Sequence, residues 1–433
     1  MEQSQQQVKR RRVFYIPGYD PIHPRRYREL YRTESKEQSL ISNYDIGISP
    51  KKGKNYGWHV ESRMDGQSVD ADVEVLVWSD IVRSSMASTI PATYFQLIRT
   101  AWTYIGSGAL RRLMWLRKGP VIAALYPVGM LLVQLLIAVL LGVLAAKVLG
   151  WSLTTGGRAL VGLFGAGDVS DLNFSTLYFG RTVLQWVLGA ALGWYILRWF
   201  KRKDGKFFAY YLMHDYAYSA QWKGANPPEL EARMAEFRST ISAALTESVD
   251  EVLVVGHSSG AHLAISILAD LIRDGDVPKD GPKLGFLSLG QVVPMLSFLP
   301  KADRLRADLH YLSTRNELAW VDVTAPGDGC AFALCDPVAV SGVAPPEGQK
   351  WPLVISAAFT QTLSPERWKE LRWKFFRLHF QYLCAFDRVG DYDYFRITAG
   401  PMTLAERFKD RTPSKSRIDV PASKFTTMSY DPA

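Results

Sequence analysis

The sequence predicts an α/β protein whose central, mostly parallel sheet is interrupted by an inserted transmembrane helical hairpin. Three observations lead to this prediction. Short uncharged runs rich in β-branched residues alternate with longer segments in which apolar residues recur every three or four positions, as buried strands and their connecting helices do. Residues 119–146 contain no charged residue and are long enough to cross a bilayer. Predicted strands lie on both sides of this stretch, so the hairpin is inserted rather than appended.

The composition is that of a folded protein with a basic surface. The chain has 433 residues, of which 48% are hydrophobic, so it can build a sizeable core and is not a disordered chain. Its formal charge of +9 suits nucleic acid or an anionic membrane, and the position of the basic residues decides between them. The cysteines are too few for a disulfide framework, and their number is odd. Because the histidines are also scattered, we expect no metal and no cofactor. The three cysteines are Cys330, Cys335 and Cys384.

The first part of the chain predicts a strand, a helix and a second strand. The strand at 13–16 ends in the turn Pro17-Gly18-Tyr19-Asp20, the polar segment 23–38 has helical character, and the apolar run 73–80 is the second strand. Basic residues precede the first strand, but no apolar signal core does. We therefore expect no cleaved secretion signal and a chain that starts in the cytosol.

Two apolar segments predict the transmembrane hairpin. Residues 119–146 exceed the roughly 20 residues that span the hydrocarbon core, and residues 182–200 come close to that length, with Arg198 near one end where it could snorkel. Four small residues of the second segment would allow close packing against the first. The alternative is a pair of core helices buried inside a soluble protein. The small residues are Gly189, Ala190, Ala191 and Gly193.

The basic residues around these segments predict that both ends of the hairpin face the cytoplasm. The flanks of the hairpin are rich in lysine and arginine, whereas its connection holds few. Much of the basic excess thus lies beside anionic lipid, so the lipid bilayer is the expected partner and nucleic acid is not needed to explain the charge. We expect an integral protein of a bacterial inner (plasma) membrane with both termini in the cytoplasm. The flanking residues are Arg111, Arg112, Arg117 and Lys118 before the hairpin and Arg198, Lys201, Arg202, Lys203 and Lys206 after it; the connection holds Lys147, Arg158 and Arg181.

Four regions follow from these patterns. Residues 89–116 mix tryptophan and tyrosine with arginine and could lie in the membrane interface, with an amphipathic core helix as the alternative. Residues 408–433 are polar and contain proline, which predicts a loosely held tail. We therefore divide the chain into residues 1–88, an α/β part; 89–206, the interfacial helix and hairpin; 207–407, the rest of the α/β part; and 408–433, the tail.

Soluble character returns after the hairpin, where helices and strands are again predicted. The helix at 226–247 should have Asn226 as its N-cap and prolines in its first turn. Further helices are predicted at 207–222, 260–272 and 364–376, and strands at 252–255, 285–290, 318–326 and 353–359.

The pentapeptide Gly256-His257-Ser258-Ser259-Gly260 lies between one of these strands and the helix after it. This is the G-x-S-x-G pattern in the context where it marks a nucleophilic serine on a strained strand-to-helix turn. Its glycines fit because a side chain there would collide with the neighbouring strand and helix. The Ser259 N–H would lie at the helix start, which favours an oxyanion. The alternative is an ordinary connection that needs small residues.

A nucleophilic serine needs a histidine as its base and a carboxylate to orient that histidine. In the α/β-hydrolase arrangement these follow the serine in the order acid, then histidine. Asp328 lies on a turn just past the predicted strand 318–326, and Asp336, in a turn-rich loop before a proline, is the alternative acid. His310 precedes both acids, so His379 is the predicted base. A solvated loop aspartate and a structural histidine among aromatics remain the other interpretations.

With Ser258, Asp328 and His379 in this order, the chain resembles the α/β-hydrolase superfamily, and more specifically its membrane-associated lipase- and esterase-like members, over residues 13–80 and 207–398. The resemblance implies the α/β-hydrolase fold, with an eight-stranded, mostly parallel sheet. It also implies that Ser258 attacks an ester carbonyl while His379 relays the proton and Asp328 fixes the imidazole. The N–H groups of Tyr19 and Ser259 would hold the oxyanion.

The expected function is therefore that of a membrane serine hydrolase acting at the cytoplasmic face. Tethering to a bilayer exposes such an enzyme to a high local concentration of acyl chains, so an ester of a membrane lipid is the expected substrate. Two alternatives stay open. One is an acyltransferase that uses the same three residues, and the other is a non-catalytic membrane scaffold or regulator that keeps the fold.

Overall fold

The structure is a computed structural model that describes residues 7–51, 55–86, 89–163 and 174–429. The chain divides into two compact units. The first unit comprises residues 1–86, 99–123 and 216–433, and the second comprises residues 87–98 and 124–215. Residues 164–173, which lie between the two long apolar helices, are outside the described residues.

The first unit is built on a single eight-stranded sheet in the order β2-β3-β4-β1-β5-β6-β7-β8. Every neighbouring pair from β4 to β8 along this order is parallel, whereas β3 is antiparallel to both of its neighbours. The prediction of an α/β protein with a mostly parallel sheet is confirmed. The strands are β1 (Arg10–Ile16), β2 (Asp45–Pro50), β3 (Gly57–Met64), β4 (Gln67–Val75), β5 (Glu251–His257), β6 (Lys283–Leu289), β7 (Leu318–Thr324) and β8 (Leu353–Ser356).

The helices follow the chain between and after these strands. Among the described residues they are α1 (Arg25–Ser42), α2 (Ser79–Ser85), α3 (Ile90–Gly106), α4 (Ala109–Leu116), α5 (Lys118–Leu163), α6 (Phe174–Arg202), α7 (Asp204–Phe207), α8 (Ala209–Gln221), α9 (Pro228–Leu245), α10 (Gly260–Arg273), α11 (Val293–Ser297), α12 (Asp303–Leu312), α13 (Pro337–Val340), α14 (Phe359–Thr362), α15 (Pro365–Leu371), α16 (Phe375–His379), α17 (Tyr394–Ala399) and α18 (Leu404–Arg407). A short 3₁₀ helix, Gln381–Leu383, follows α16.

Burial explains why the central strands could be recognised in the sequence. All seven residues of β5 and all seven of β7 are buried, as expected of strands covered on both faces of a parallel sheet. Helix α10 packs against β1 and β5 and against α9 and α12. The core therefore fixes the carboxyl ends of neighbouring parallel strands, where connecting loops of an open α/β sheet commonly form sites.

The second unit contains most of the two long apolar helices. The candidate spans run over Lys118–Gly156 of α5 and Tyr178–Arg202 of α6, and both are long and apolar enough to cross a membrane. Only 22% and 11% of the residues in their most apolar windows are buried within the protein, which argues against a pair of buried core helices. Both helices extend beyond the predicted segments 119–146 and 182–200.

Small residues let α5 and α6 approach closely, as predicted for Gly189 and Gly193. A Cβ added to Gly189 would lie 2.9 Å from the Cβ of Ala146, and one added to Gly142 would lie 2.6 Å from the carbonyl oxygen of Gly189. A Cβ on Gly193 would lie 3.1 Å from the Ala138 carbonyl oxygen. Ala190 and Ala191 are exposed, so the prediction that they join this contact is wrong. Because only one face of a helix meets its neighbour, consecutive small residues cannot all pack.

Three local features differ from the sequence predictions. Antiparallel strands β2 and β3 fill the region between α1 and β4, where alternating exposed and buried residues gave no continuous apolar run. Pro227, not Asn226, is the N-cap of α9, and the Asn226 amide instead donates to Glu231. The predicted helix 364–376 is broken after Leu371 into α15 and α16.

The tail after Arg407 is held against the first unit rather than loosely attached. Ile418 donates to the Leu334 carbonyl and accepts from the Asp336 N–H, both at 2.8 Å, and Ser414 donates to Val354. The tail therefore satisfies backbone groups of the loop after β7 and of β8 itself. Its polar composition did not reveal these contacts because main-chain hydrogen bonds need no particular side chain.

Candidate active site

The turn between β5 and α10 has the strained geometry predicted for Ser258. Ser258 has φ of +57°, a left-handed conformation that costs a non-glycine residue about 1–3 kcal/mol. A Cβ on Gly256 would lie 2.7 Å from the Ala261 Cα, and one on Gly260 would clash with the Ile16 carbonyl oxygen. The glycines are thus required by the neighbouring helix and strand, as the sequence predicted. The turn holds a partly exposed serine at the start of a buried helix.

Asp328 and His379 form a hydrogen-bonded pair at the same end of the sheet. Asp328 lies four residues after β7, and His379 is the last residue of α16. The His379 Nδ1 and the Asp328 Oδ2 are 2.7 Å apart, and the two residues are only 6% and 2% exposed. Because a carboxylate can only accept, Nδ1 carries the proton and Nε2 is the basic nitrogen of the neutral ring.

Two further donors hold the Asp328 carboxylate in place. The Tyr382 hydroxyl donates to Oδ2 at 3.0 Å, and the Cys330 N–H donates to Oδ1 at 2.8 Å. Burial alone would raise the pKa of Asp328, but His379, Cys330 and Tyr382 together outweigh it, so the pKa lies below its usual value. Asp328 is therefore a carboxylate at neutral pH. Tyr382 was not predicted from the sequence as part of the site, although its position three residues after His379 could have indicated a shared contact.

The loop after β6 brings the pair next to the serine turn. The Ser258 N–H donates to the Leu289 carbonyl at 2.9 Å, and a Cβ on the following Gly290 would lie 3.0 Å from the His379 Cε1. Gly290 has φ of +53°, so it supplies both the turn and the space for the imidazole. Gly290 therefore lies between Leu289, whose carbonyl binds the Ser258 N–H, and the His379 ring.

The free nitrogen of His379 completes this arrangement. Nε2 is buried and has no hydrogen-bond partner among the described residues, so it is not bonded to the Ser258 hydroxyl in this state. Catalytic hydrogen bonds are often long or misaligned before substrate binds. A buried basic nitrogen that lacks a partner in the described part of the chain is a group that can act as a general base.

Asp336 and His310, the alternatives weighed from the sequence, have structural partners instead. The Asp336 Oδ1 accepts from the N–H groups of Val338 and Ala339 at 2.9 and 3.2 Å and so caps α13. His310 Nδ1 lies 2.8 Å from the Val343 carbonyl oxygen. The geometry favours Asp328 and His379 over these two residues.

His257, next to the serine, supports the backbone of His379. Its Nε2 lies 3.0 Å from the His379 carbonyl oxygen, and the two rings are 4.9 Å apart. Burial, followed by the nearby His379, lowers the pKa of His257 to about 3, so its ring is neutral and can donate to that carbonyl. His257 therefore has a structural partner within the site.

The two N–H groups predicted to bind the oxyanion differ in whether they already donate a hydrogen bond. The Ser259 N–H precedes α10 and donates to no acceptor among the described residues. The Tyr19 N–H already donates to the Ser259 Oγ at 2.8 Å. Tyr19 can therefore bind an oxyanion only if the Ser259 side chain releases it. Gly18, between Tyr19 and the end of β1, lets this loop approach, because a Cβ there would lie 3.0 Å from that of Ser258.

Asp328, Cys330 and His379 each place one potential metal ligand atom within 4.8 Å of the others. Two ligands of a tetrahedral zinc ion would lie about 3.4 Å apart, given metal–ligand distances near 2.0–2.2 Å. The 2.7 Å between His379 Nδ1 and Asp328 Oδ2 is instead a hydrogen-bond distance. The donor set therefore fits a hydrogen-bonded pair better than a metal centre.

Ser258 thus follows β5 and Asp328 follows β7, the serine turn and the His379 ring both contact the end of β6 at Leu289 and Gly290, and the three residues occur in the chain order serine, acid, histidine. This assembly rests on buried contacts within the first unit. Comparisons of the chain with protein-family models, with curated proteins and with solved structures give no match.

Proposed function

We propose that the protein is a membrane-anchored serine hydrolase that cleaves an acyl ester, most simply that of a membrane lipid. The observation that carries this proposal is the Nε2 of His379, which has no hydrogen-bond partner among the described residues, on a ring that Asp328 holds near the positive-φ Ser258. This combination matches the needs of nucleophilic catalysis, in which a weak hydroxyl nucleophile requires an oriented base. The α/β-hydrolase family assignment belongs to the same proposal.

The proposed reaction uses only groups of this chain and water. Ser258 Oγ attacks the ester carbonyl while His379 Nε2 takes the hydroxyl proton, and the Ser259 N–H stabilises the oxyanion. The tetrahedral intermediate expels the alcohol, which receives that proton from His379. Water, deprotonated by His379, then attacks the acyl-enzyme, and the acid is released as Ser258 regains its proton. Asp328 stays ionised and stabilises the imidazolium.

Membrane anchoring supports a lipid substrate. The two helices of the second unit could cross a bilayer, and large apolar side chains of α3 are exposed at steps of three and four residues, as in an interfacial helix. The basic flanks support an orientation with both termini and the site at the cytoplasmic face of a bacterial inner membrane. The α3 residues are Phe95, Ile98, Trp102 and Ile105.

We expect the full-length protein in phospholipid nanodiscs to release fatty acid from the lipid and to prefer that lipid over a short water-soluble ester. Chromatography of the products with and without added alcohol acceptors measures this. Hydrolysis of soluble esters far above that of any lipid would contradict the lipid assignment. Transfer of the acyl group to the acceptor in preference to water would identify an acyltransferase instead.

A further inference from the structure

The chain between α15 and the end of α16 exposes a run of aromatic and basic side chains. All six residues of Arg372–Arg377, which we call the aromatic–basic segment, are exposed, and they lie between the buried residues Leu371 and Leu378. Trp373 is 72% exposed, Phe375 44% and Phe376 38%. Large aromatic side chains clustered in this way on a surface mark a site of interaction rather than ordinary exposure.

The charges of the segment indicate what it contacts. It contains three basic residues and no acidic residue, and the Arg372 guanidinium lies 5.6 Å from the Trp373 ring. Of the basic residues, Lys374 is paired with Glu370 at 2.8 Å in an exposed ion pair. Tryptophan suits the headgroup level of a bilayer, where its ring is amphipathic, and lysine and arginine are attracted to anionic lipid. The chemistry therefore fits an anionic phospholipid surface.

The segment also lies next to the start of the first candidate span, within the first unit. Phe375 packs on Gly329, since a Cβ there would lie 3.1 Å from the Phe375 ring. Gly329 is also approached by Gly119, whose added Cβ would lie 3.5 Å from the Gly329 carbonyl oxygen. Arg117 donates to the Ala333 carbonyl at 2.9 Å. The loop of Asp328 thus contacts both the exposed aromatic residues and the point where α5 begins.

We infer that the aromatic–basic segment inserts into the interfacial layer of an anionic phospholipid membrane, the membrane that α5 is proposed to enter. The segment ends two residues before His379, and Trp368 and Phe375 pack on Gly327 and Gly329, the two neighbours of Asp328. Insertion therefore brings Phe375, which packs on the residue next to Asp328, into contact with lipid. This inference rests on the membrane anchoring in the proposed function but not on its chemistry.

The test measures the depth of a spin label at Trp373→Cys in the full-length protein. The protein is placed in nanodiscs that contain phosphatidylglycerol, and the label's collisions with oxygen and with a water-soluble nickel chelate are compared. Ser248→Cys is the matched position, because Ser248 is exposed and lies just before the amino end of β5, whereas Ser258 follows the carboxyl end of that strand. The parent protein, with its three native cysteines, provides the background signal.

We expect the ratio of oxygen to nickel accessibility at position 373 to be several-fold higher than at position 248. The ratio at position 373 should be lower in discs of phosphatidylcholine alone. It should also be lower in the triple variant Arg372→Glu, Lys374→Glu, Arg377→Glu. A triple variant at exposed lysines elsewhere changes the net charge equally and should not affect the ratio. The control substitutions are Lys279→Glu, Lys283→Glu and Lys301→Glu.

A label at position 373 that is as accessible to nickel as one at position 248 would overturn the inference. A label that is shielded from both oxygen and nickel would also overturn it. In that case, dipolar broadening between labels would identify a second copy of the chain as the contact. The same measurement on the Ser258→Ala variant separates the two proposals. If the chain lacks hydrolase activity, the depth of the spin label at position 373 is unaffected; if the segment does not insert, modification of Ser258 in the parent protein by a fluorophosphonate probe is unaffected.

Discussion

Replacing Ser258 by alanine is expected to lower the hydrolysis rate by about 10⁴-fold or more while leaving the fold intact. The hydroxyl is the only group removed, and its oxygen is the atom proposed to form the acyl-enzyme. Its removal leaves His379 Nε2 without a proton to accept, so the residual rate reflects substrate binding and the oxyanion donor alone. Steady-state hydrolysis by the full-length protein in nanodiscs, with thermal unfolding as a check of the fold, measures the effect.

Ser248→Ala is the control for this substitution, because Ser248 is an exposed serine before β5. It should keep the parent rate. Since alanine, like serine, is strained at the positive φ of position 258, Ser258→Gly serves as a second variant that relieves this strain. Activity retained in both Ser258 variants would show that another residue is the nucleophile.

Asp328→Asn is expected to reduce kcat by about 10⁴-fold with little loss of substrate binding. The asparagine amide cannot replace a charged acceptor, and a favourable contact from its NH₂ group would require the other tautomer of His379, in which Nε2 carries the proton. Because the pKa of Asp328 lies below its usual value, this carboxylate should not titrate between about pH 5 and 8. Any loss of rate in that range must come from another group.

Asp336→Asn provides the matched comparison. Asp336 is as buried as Asp328, but its carboxylate caps α13 and accepts from the Gln349 amide at 3.1 Å. We expect this variant to retain activity within a few-fold, and, because asparagine caps a helix about as well as aspartate, to lose only the hydrogen bond from Gln349, about 0.5–1.5 kcal/mol of unfolding free energy. A large loss of kcat in Asp336→Asn, with Asp328→Asn active, would reverse the assignment of the acid.

The sequence was most informative where the structure depends on residues that are close together in the chain. The strand before Ser258 is fully buried and the glycines of its turn are pressed against neighbouring backbone, so periodicity and the position of Gly256 and Gly260 carried the signal. The long apolar run of α5 was recognisable from its composition alone. Patterns of this kind depend on neighbours in the chain and can therefore be read without a structure.

Contacts between distant parts of the chain could not be predicted in this way. The sequence left Asp328 and Asp336 as alternatives because both follow β7 in turn-rich loops, and only the packing of α16 separates them. The bond from the Tyr19 N–H to the Ser259 Oγ joins residues 240 positions apart. The exposure of Arg372–Arg377 depends on the break between α15 and α16, which helical periodicity did not indicate.

The proposed function requires that His379 activates Ser258. Fluorophosphonate labelling of the full-length protein in nanodiscs, with the modified peptide identified by mass spectrometry, tests this most directly. We expect the parent protein to be labelled at Ser258 and the His379→Ala variant to be labelled far more slowly. A well-folded parent that is not labelled at Ser258, or equal labelling of the two proteins, would contradict the claim and favour a non-catalytic membrane scaffold.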